Sequence, residues 1–329
     1  MRRLKRAGAM ILAFFILLTA GAAAAGEGFI PPSPEPPDGN HGGRPTPAPT
    51  PIPETEVIDH IHFPRMIPDF WFQKDRKLLE IWFPNIKDAD EAVLMYDGQV
   101  WMIDCGDDRA GARGATMLKQ LGIEQIDVLF NTHPHHDHIN GLSVTDDTAR
   151  VKEVKICFPP ESTDSGLRLL KVAEERQIPL SEFRDGDRFA IGDGAVELLM
   201  MKNDESNLDM NNQSACTMIR YGRRNILFLA DMERYGQEAM YNRVGPEALK
   251  CDIVKYPHHA KSDMYDPFFK AMEAKMAVVT SVEGRGDAGQ AALIKRGLPA
   301  AYTSVKGKYT HLVTDGEYWL CELVNSQEQ

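Results

Sequence analysis

From about residue 77 to the C-terminus, short apolar runs with strand periodicity alternate with longer amphipathic segments, and this pattern predicts strands separated by helices. Runs at 93–96 and 100–104 flank Asp97-Gly98, which is typical of a β-hairpin. The first half continues with a predicted helix at 112–121, strands at 126–130 and 154–158, a helix at 167–177 and a strand pair at 189–201 turned at Gly192-Asp193-Gly194. The second half has predicted strands at 215–220 and 225–230, a helix at 234–243, a strand at 252–256, a helix at 266–274, a strand at 277–281 and terminal strands at 301–320.

Two successive halves that each combine hairpins with helices indicate a layered α/β protein. The motifs described below narrow this class to an αββα sandwich, in which two mixed β-sheets pack face to face with helices outside.

The N-terminal region differs in composition from the rest of the chain. Residues 1–25 have a basic start, an apolar run and a small-residue tail, which predicts a signal peptide cleaved near Ala25 or, alternatively, an uncleaved N-terminal anchor. Residues 26–56 are predicted to form a proline-rich linker, and residues 57–329 are predicted to form a single globular domain. We therefore expect a secreted or cell-envelope protein whose only contact with a membrane would be an uncleaved anchor.

Charge and cysteine content restrict the classes of function. Loss of the signal segment leaves 33 basic and 48 acidic residues, a net charge of -15, which argues against a broad basic face for nucleic acid but leaves room for a local basic groove. The five cysteines cannot all pair within one chain, and four of them lie in or beside apolar strands. We expect buried core cysteines rather than a disulfide framework.

Four of the ten histidines fall in the run Thr132-His133-Pro134-His135-His136-Asp137-His138, directly after a predicted strand. A loop at a strand end can present His133, His135, Asp137 and His138 as the imidazole and carboxylate ligands that Zn²⁺ prefers. Four donors so close together suit two adjacent metals, with His133 and His135 on one ion and Asp137 and His138 on the other.

Two later apolar strands also end in candidate ligands. The run 226–230 leads into Asp231, and the run 253–257 leads into His258-His259. Taken singly, Asp231 could instead be a helix N-cap and the histidine pair could be a surface feature. Together with the first cluster, they favour a common metal site.

Several segments of the chain resemble the sequence motifs of a known family. The run 132–142 resembles the HxHxDH signature of the metallo-β-lactamase superfamily, and Trp101-Met102-Ile103-Asp104-Cys105-Gly106 resembles its strand-plus-IDxG segment. Residues 212–214, 227–231 and 255–259 resemble, in order and spacing, the extracytoplasmic hydrolase domain of ComEC-type competence proteins and their secreted single-domain relatives. The resemblance implies that Asp231 bridges two metals, that one of His258 and His259 binds the second metal, and that the other faces the substrate. It implies Zn²⁺, with two ions, and leaves Mn²⁺ or Fe as alternatives.

The chain also departs from the family pattern. Residues 139–230 contain no histidine, so the first metal lacks an expected ligand, and Asn211, Asn212 or Ser214 is a candidate to replace it. We therefore expect a weaker or more exchangeable first metal. The glycines that the family carries before the bridging aspartate and after the histidine pair are Ala230 and Ala260 here, and residues 283–287 replace the expected Asn and His-Pro element.

The chemistry expected from this set is hydrolysis by a metal-bound hydroxide. Asp137 would orient the hydroxide, and His136 or the non-ligating member of the pair, with His258 the candidate, would protonate the leaving group. An anionic substrate could be held by Lys261 and Ser262, and less directly by Tyr302, Thr303 and Lys306. The remaining histidines are interpreted as surface or structural residues: His41, His60, His62 and His311.

The leading hypothesis is thus an exported metal-dependent phosphodiesterase acting on a phosphodiester-containing substrate, either nucleic acid or a small envelope component. A lactone or amide hydrolase of the same fold and a non-catalytic metal-binding module are the alternatives. The sequence leaves the oligomeric state open.

Overall fold

The computed structural model describes residues 55–58, 60–64, 77–205 and 207–326. The predicted signal segment (1–25), nearly all of the predicted linker (26–56) and His41 lie outside the described residues, so those expectations stay predictions. Within the described part of the chain, no helix is both long and apolar enough to cross a membrane.

The first sheet contains ten strands, and it is mixed. It begins with the N-terminal strands, and the C-terminal hairpin returns to pair inside it. The spatial order is β1 (Thr55–Ile58), β2 (Ile61–Pro64), β19 (Trp319–Asn325), β18 (Lys308–Thr314), β3 (Leu79–Phe83), β4 (Glu91–Tyr96), β5 (Gln99–Cys105), β7 (Val128–Asn131), β9 (Val154–Ile156) and β10 (Leu180–Glu182).

The second sheet contains seven strands in sequence order, antiparallel at the start and parallel from β14 onward. Its strands are β11 (Arg188–Ile191), β12 (Val196–Met201), β13 (Cys216–Tyr221), β14 (Arg224–Phe228), β15 (Ile253–Lys255), β16 (Met276–Val279) and β17 (Ala300–Tyr302). A separate short pair joins β6 (Gln125–Ile126) to β8 (Arg150–Val151).

Helices cover the outer face of each sheet. The first sheet shares a core with α1, α3 and α4 through Leu118, Leu142 and Leu169, and the second shares one with α5, α6 and α7 through Met240 and Phe268 among others. The helices are α1 (Asp108–Gln120), α2 (His136–Ile139), α3 (Leu142–Thr148), α4 (Asp164–Arg176), α5 (Arg234–Val244), α6 (Asp266–Met272) and α7 (Ala288–Arg296).

Aromatic side chains pack between the two sheets. Phe83 of β3 stacks on Phe228 of β14 with ring centroids 5.8 Å apart. Phe130 of β7 meets Phe189 of β11 edge to face at 5.0 Å. Helix, sheet, sheet and helix therefore form four layers, and the predicted αββα sandwich of two mixed sheets is confirmed.

Local details differ from the pattern-based boundaries for physical reasons. Helices α1 and α4 begin three to four residues earlier than predicted, because the side chains of Asp107 and Thr163 accept hydrogen bonds from the first free N–H groups. The strand predicted at 126–130 is interrupted at Asp127, whose carboxylate accepts from the Val100 N–H at 2.9 Å. Helices α2, α3 and α7 were not predicted, and α2 covers part of the segment that was predicted to be a loop.

The five cysteines are free, and four of them are buried, as expected for core residues. Beside Cys105, the turn after α2 approaches the end of β5 so closely that a Cβ at Gly141 would lie 1.9 Å from the Cys105 carbonyl oxygen. Only glycine fits there, and the contact holds the 132–141 segment against the sheet.

Candidate metal centre

The ends of several neighbouring strands meet at one edge of the sandwich, and each carries polar side chains to the same place. Strand β7 is followed by His133 and His135, β14 by Asp231, and β15 by His258 and His259. This is the edge where ligand sites form in α/β sheets, because the carboxyl ends of parallel strands lie side by side.

Four buried residues bring one potential ligand atom each to within 4.8 Å of all the others: Asp137, His138, Asp231 and His259. His138 Nε2 lies 3.3 Å from Asp231 Oδ1, and His259 Nε2 lies 3.8 Å from the same oxygen. His259 Nε2 lies 3.5 Å from Asp137 Oδ2. Bonds of about 2.0 to 2.1 Å to a tetrahedral ion separate neighbouring ligands by about 3.3 to 3.4 Å, so these distances suit a shared ion.

The hydrogen bonding of these atoms supports the same interpretation. Among the described residues, His138 Nε2, Asp231 Oδ1 and His259 Nε2 are buried atoms that make no hydrogen bond. Buried polar atoms rarely lack a partner, and an unpaired one costs free energy. Three such atoms that converge are explained by a cation between them, so the donor set fits a metal.

Each imidazole in this cluster is oriented through its other nitrogen. His138 Nδ1 lies 2.7 Å from Asp104 Oδ2, and Asp104 also accepts from the Thr132 N–H and hydroxyl at 2.8 and 2.7 Å. His259 Nδ1 lies 2.9 Å from Thr280 Oγ1 and 3.2 Å from Asp90 Oδ1. Such partners fix the ring and its tautomer, as they do around protein-bound metals.

His133 and His135 lie on the other side of Asp231. Their facing nitrogens, His133 Nε2 and His135 Nδ1, are 3.0 Å apart, and His133 Nε2 is 3.9 Å from Asp231 Oδ2. Thr132 Oγ1 lies 3.1 Å from His133 Nδ1 and orients that ring. The two oxygens of Asp231 thus face two separate groups of imidazoles.

His258 also approaches this second oxygen. Its Nε2 is 3.7 Å from Asp231 Oδ2, while its Nδ1 is 2.7 Å from Glu233 Oε1. The backbone of His258, His259 and Ala260 is left-handed, with φ of 46°, 53° and 60°. Three consecutive non-glycine residues in this region are strained, and this turn carries both imidazoles to the site.

The local electrostatics favour the ionised form of Asp231 and the neutral forms of His133 and His135, which are the forms that bind a cation. Burial favours the neutral form of Asp231, but the imidazoles of His138 and His259 outweigh it and hold the pKa of Asp231 well below its usual value. Burial, reinforced by His138, lowers the pKa of His133 and of His135, which keeps both rings neutral and able to bind metal. Burial opposes the charged form of His138, yet Asp231 and Asp104 raise its pKa well above normal.

Several predicted residues fall outside the converging set. The side chain of His136 is 68% exposed, although its Nδ1 lies 3.7 Å from Asp137 Oδ1. Lys261 and Ser262 are partly buried and Lys306 is exposed. Tyr302 packs in the core of the second sheet, and Thr303 donates to the Ile86 carbonyl, so neither side chain is directed as expected.

The three candidates to replace the missing histidine also differ. Asn212 Oδ1 accepts from the Gly236 N–H at 2.7 Å, and Ser214 Oγ donates to the Asn211 carbonyl at 2.6 Å, so both are engaged elsewhere. The buried Oδ1 of Asn211 makes no hydrogen bond within the described residues, and its side chain lies against His135. Asn211 alone is directed toward the site.

The structure brings to the site further residues that carry no recognisable motif in the sequence. Asp90, between β3 and β4, contacts Lys255, Thr280 and His259. Glu233 is the N-cap residue of α5, so the alternative in which Asp231 caps that helix is wrong. Glutamate is not a preferred N-cap residue, so no local signal marked Glu233, and the turn of its carboxylate toward His258 depends on the tertiary fold.

Fold and site together define a four-layer αββα protein with a buried His/Asp cluster suited to metal binding. The family model described as the Metallo-beta-lactamase superfamily matches residues 92–284, a span that contains the whole cluster. The chain belongs to the metallo-β-lactamase superfamily.

Individual relatives are more distant. The chain is 26% identical over 165 residues to ComE operon protein 3 of Bacillus subtilis, covering 50% of this chain and 21% of that protein. It is 30% identical over 106 residues to ribonuclease Z of Methanopyrus kandleri, covering 31% of this chain and 35% of that protein. The chain thus spans only a minor part of the curated relatives it matches. The Bacillus subtilis metallo-β-lactamase fold protein YhfI aligns with a TM-score of 0.47 at 12% identity, covering 68% of this chain and 95% of that one.

Proposed function

We propose that this protein is an exported metal-dependent hydrolase that cleaves phosphodiester bonds with two divalent ions, preferably Zn²⁺, with Mn²⁺ or Fe as alternatives. The observation that carries the proposal is the position of Asp231: Oδ1 faces His138 and His259, and Oδ2 faces His133 and His258. A carboxylate placed in this way suits a bridge between two ions, which act together in many phosphoester hydrolases.

The ligands divide into two groups. His133 and His135 would hold the first ion, and Asp137, His138 and His259 the second, with Asp231 shared between them. Ions bound there would make water nucleophilic at neutral pH and offset negative charge developing on the phosphoryl oxygens.

The residues of the chain then perform the remaining tasks. Burial disfavours the charged form of Asp137, but the nearby imidazole of His259, 3.5 Å away, and the charge of His138 outweigh this and lower the pKa of Asp137, so its carboxylate stays ionised and can orient the attacking water. Asp104 and Asp90 hold the rings of His138 and His259 in place. His136, exposed beside Asp137, is the candidate proton donor to the leaving group, and Lys261 and Ser262 are candidate contacts for an anionic substrate.

The choice of a small phosphodiester as substrate rests on similarity to a relative, on the number of histidine ligands and on the net charge. One relative is a ribonuclease by name, and a ribonuclease cleaves phosphodiesters. The absence of histidine from 139–230 departs from the ligand set that lactone and amide hydrolases of this fold normally retain. The net charge of -15 for the chain without its signal favours a small phosphodiester of the cell envelope over long nucleic acid.

A panel of substrates tests this proposal. The purified chain, stripped with chelator and reloaded with Zn²⁺ or Mn²⁺, should hydrolyse bis(p-nitrophenyl) phosphate, and His135→Ala and Asp231→Ala should each lower turnover at least ~100-fold while thermal unfolding shows an intact fold. Glu175→Ala, an exposed change on α4 that also removes a charge, is the matched control and should leave turnover unchanged. Undiminished turnover in either site variant contradicts the assignment of His135 and Asp231 to the catalytic site. Preferential hydrolysis of lactones or amides on the same panel would make these the substrate class in place of phosphodiesters.

A further inference from the structure

One side of Asp231 has fewer expected ligands than the other. The side formed by Asp137, His138 and His259 offers three donors besides Asp231, whereas His133 and His135 offer two. A family member would add a histidine from the segment before the bridging aspartate, but residues 139–230 contain none.

His258 lies on the deficient side. Its Nε2 is 3.7 Å from Asp231 Oδ2, and His133 Nε2 is 3.9 Å from that same oxygen. The matching distances on the other side, from Asp231 Oδ1 to His138 and His259, are 3.3 and 3.8 Å. Each oxygen of Asp231 therefore has two imidazole Nε2 atoms within 3.9 Å of it, although among the described residues only the donors beside Oδ1 also lie within 4.8 Å of one another.

The orientation of His258 is also that of a metal ligand. Its Nδ1 is held by Glu233 Oε1 at 2.7 Å, and the ring therefore presents Nε2 to Asp231. His138 is held in the same way by Asp104, at the same distance. Glu233 is the N-cap residue of α5, yet its side chain makes no capping hydrogen bond, because it is directed to His258 instead.

The backbone shows that this orientation is imposed by the fold. His258 has φ of 46° and its N–H donates to the Ala230 carbonyl at 2.9 Å, with Ala230 itself at φ of 45°. Ala230 and His258, which both have left-handed backbone, thus join the loop after β14 to the loop after β15 beside Asp231. Strain of this kind persists at functional sites where surrounding contacts fix the geometry.

We infer that His258 supplies the missing third imidazole of the first metal site, with Glu233 as its orienting carboxylate. The inference rests on the proposed function, since it assigns a ligand to an ion that function requires. The first site then has the donors His133, His135, His258 and Asp231, and the second has Asp137, His138, His259 and Asp231. Each site then has four donors with Asp231 counted in both, and His258 is a ligand rather than the proton donor.

The number of metal ions that the full chain binds tests directly whether His258 is a ligand. The wild-type protein, stripped with chelator and titrated with Zn²⁺ in a calorimeter, should bind two ions, and elemental analysis after desalting should give two equivalents. His258→Gln should bind one, whereas Glu233→Gln should keep two with one of them weakened about 10- to 100-fold. His136→Gln, which alters an exposed imidazole in the 132–138 run, is the control and should bind two.

The outcomes separate this inference from the proposed function. Two ions of unchanged affinity in both His258→Gln and Glu233→Gln overturn the inference and leave the two-metal hydrolase standing. Loss of one ion in Asn211→Ala but not in His258→Gln overturns it in favour of the asparagine. A wild-type protein that binds no metal overturns both.

Discussion

A buried ion pair behind the metal centre permits a quantitative test of the packing. Lys255, at the end of β15, is 2% exposed, and its Nζ contacts Asp90 Oδ2 and donates to the Ala230 carbonyl at 3.3 Å. Asp90 also accepts from the Thr280 hydroxyl at 2.6 Å. Because Asp90 precedes a strand of the first sheet while Lys255 ends β15 and Thr280 directly follows β16 of the second, the pair joins the two sheets beside His259.

The change proposed is Lys255→Met, which preserves the unbranched side chain and removes the charge. It leaves the Asp90 carboxylate buried without its counter-ion, a loss of about 3 to 5 kcal/mol of unfolding free energy. With about 2 to 4 °C per kcal/mol for a domain of this size, the melting temperature should fall by roughly 6 to 20 °C. Asp90→Asn combined with Lys255→Met removes both charges and should recover about half of the loss or more.

The assay is urea and thermal unfolding of the chelator-treated full chain, so that metal binding does not contribute. Lys171→Met is the control: this side chain is exposed on α4 and lies 3.8 Å from Glu175, so its removal should change stability by less than about 0.5 kcal/mol. The ion pair would not have the assigned role if Lys255→Met lost under about 1 kcal/mol of unfolding free energy, or if the double variant lost as much as Lys255→Met and Asp90→Asn together.

Two further predictions concern strain and buried charge. Ala260 has φ of 60°, a conformation in which glycine is less strained than alanine. Ala260→Gly should therefore lower the free energy of unfolding by about 1 to 2 kcal/mol less than Ala277→Gly, which changes an equally buried alanine in a regular strand. Equal losses in urea unfolding would contradict the strain at Ala260. Burial raises the pKa of Glu91 well above normal, and neither of its carboxylate oxygens makes a hydrogen bond within the described residues. Between the unfolded pKa near 4.5 and the raised folded value, only the folded state holds this proton, so this group lowers stability as pH rises, by up to about 1.4 kcal/mol per pH unit. Glu91→Gln should therefore be more stable than wild type at pH 8 and nearly equal to it near pH 4.5, and a pH-independent difference would count against this assignment.

The sequence predicted the layered fold because strand and helix periods depend on neighbouring residues. It also placed the histidine run, Asp231 and the histidine pair at strand ends, and parallel strands bring such ends together. What it could not provide was the side of Asp231 on which each member of the pair lies, since His258 and His259 are adjacent in the chain but face different oxygens only because of a left-handed turn.

The residues that orient the rings were missed for a related reason. Asp90 and Thr280 lie 190 positions apart and meet only when the sheets pack. Ala230 and Ala260 illustrate the converse: their replacement of glycine looked like a departure from the family, yet both adopt the left-handed backbone that glycine would favour. The C-terminal hairpin could not be assigned to the first sheet from its local pattern, which is the same in either sheet.

Whether the chain is a two-metal hydrolase is tested by the metal content of the purified full chain, measured by elemental analysis, together with hydrolysis of bis(p-nitrophenyl) phosphate before and after chelation. We expect two equivalents of Zn, Mn or Fe, loss of hydrolysis on stripping and recovery when metal is restored. Metal content below roughly 0.5 equivalents after reloading with excess Zn²⁺ or Mn²⁺, or hydrolysis that persists in the stripped protein, would contradict it.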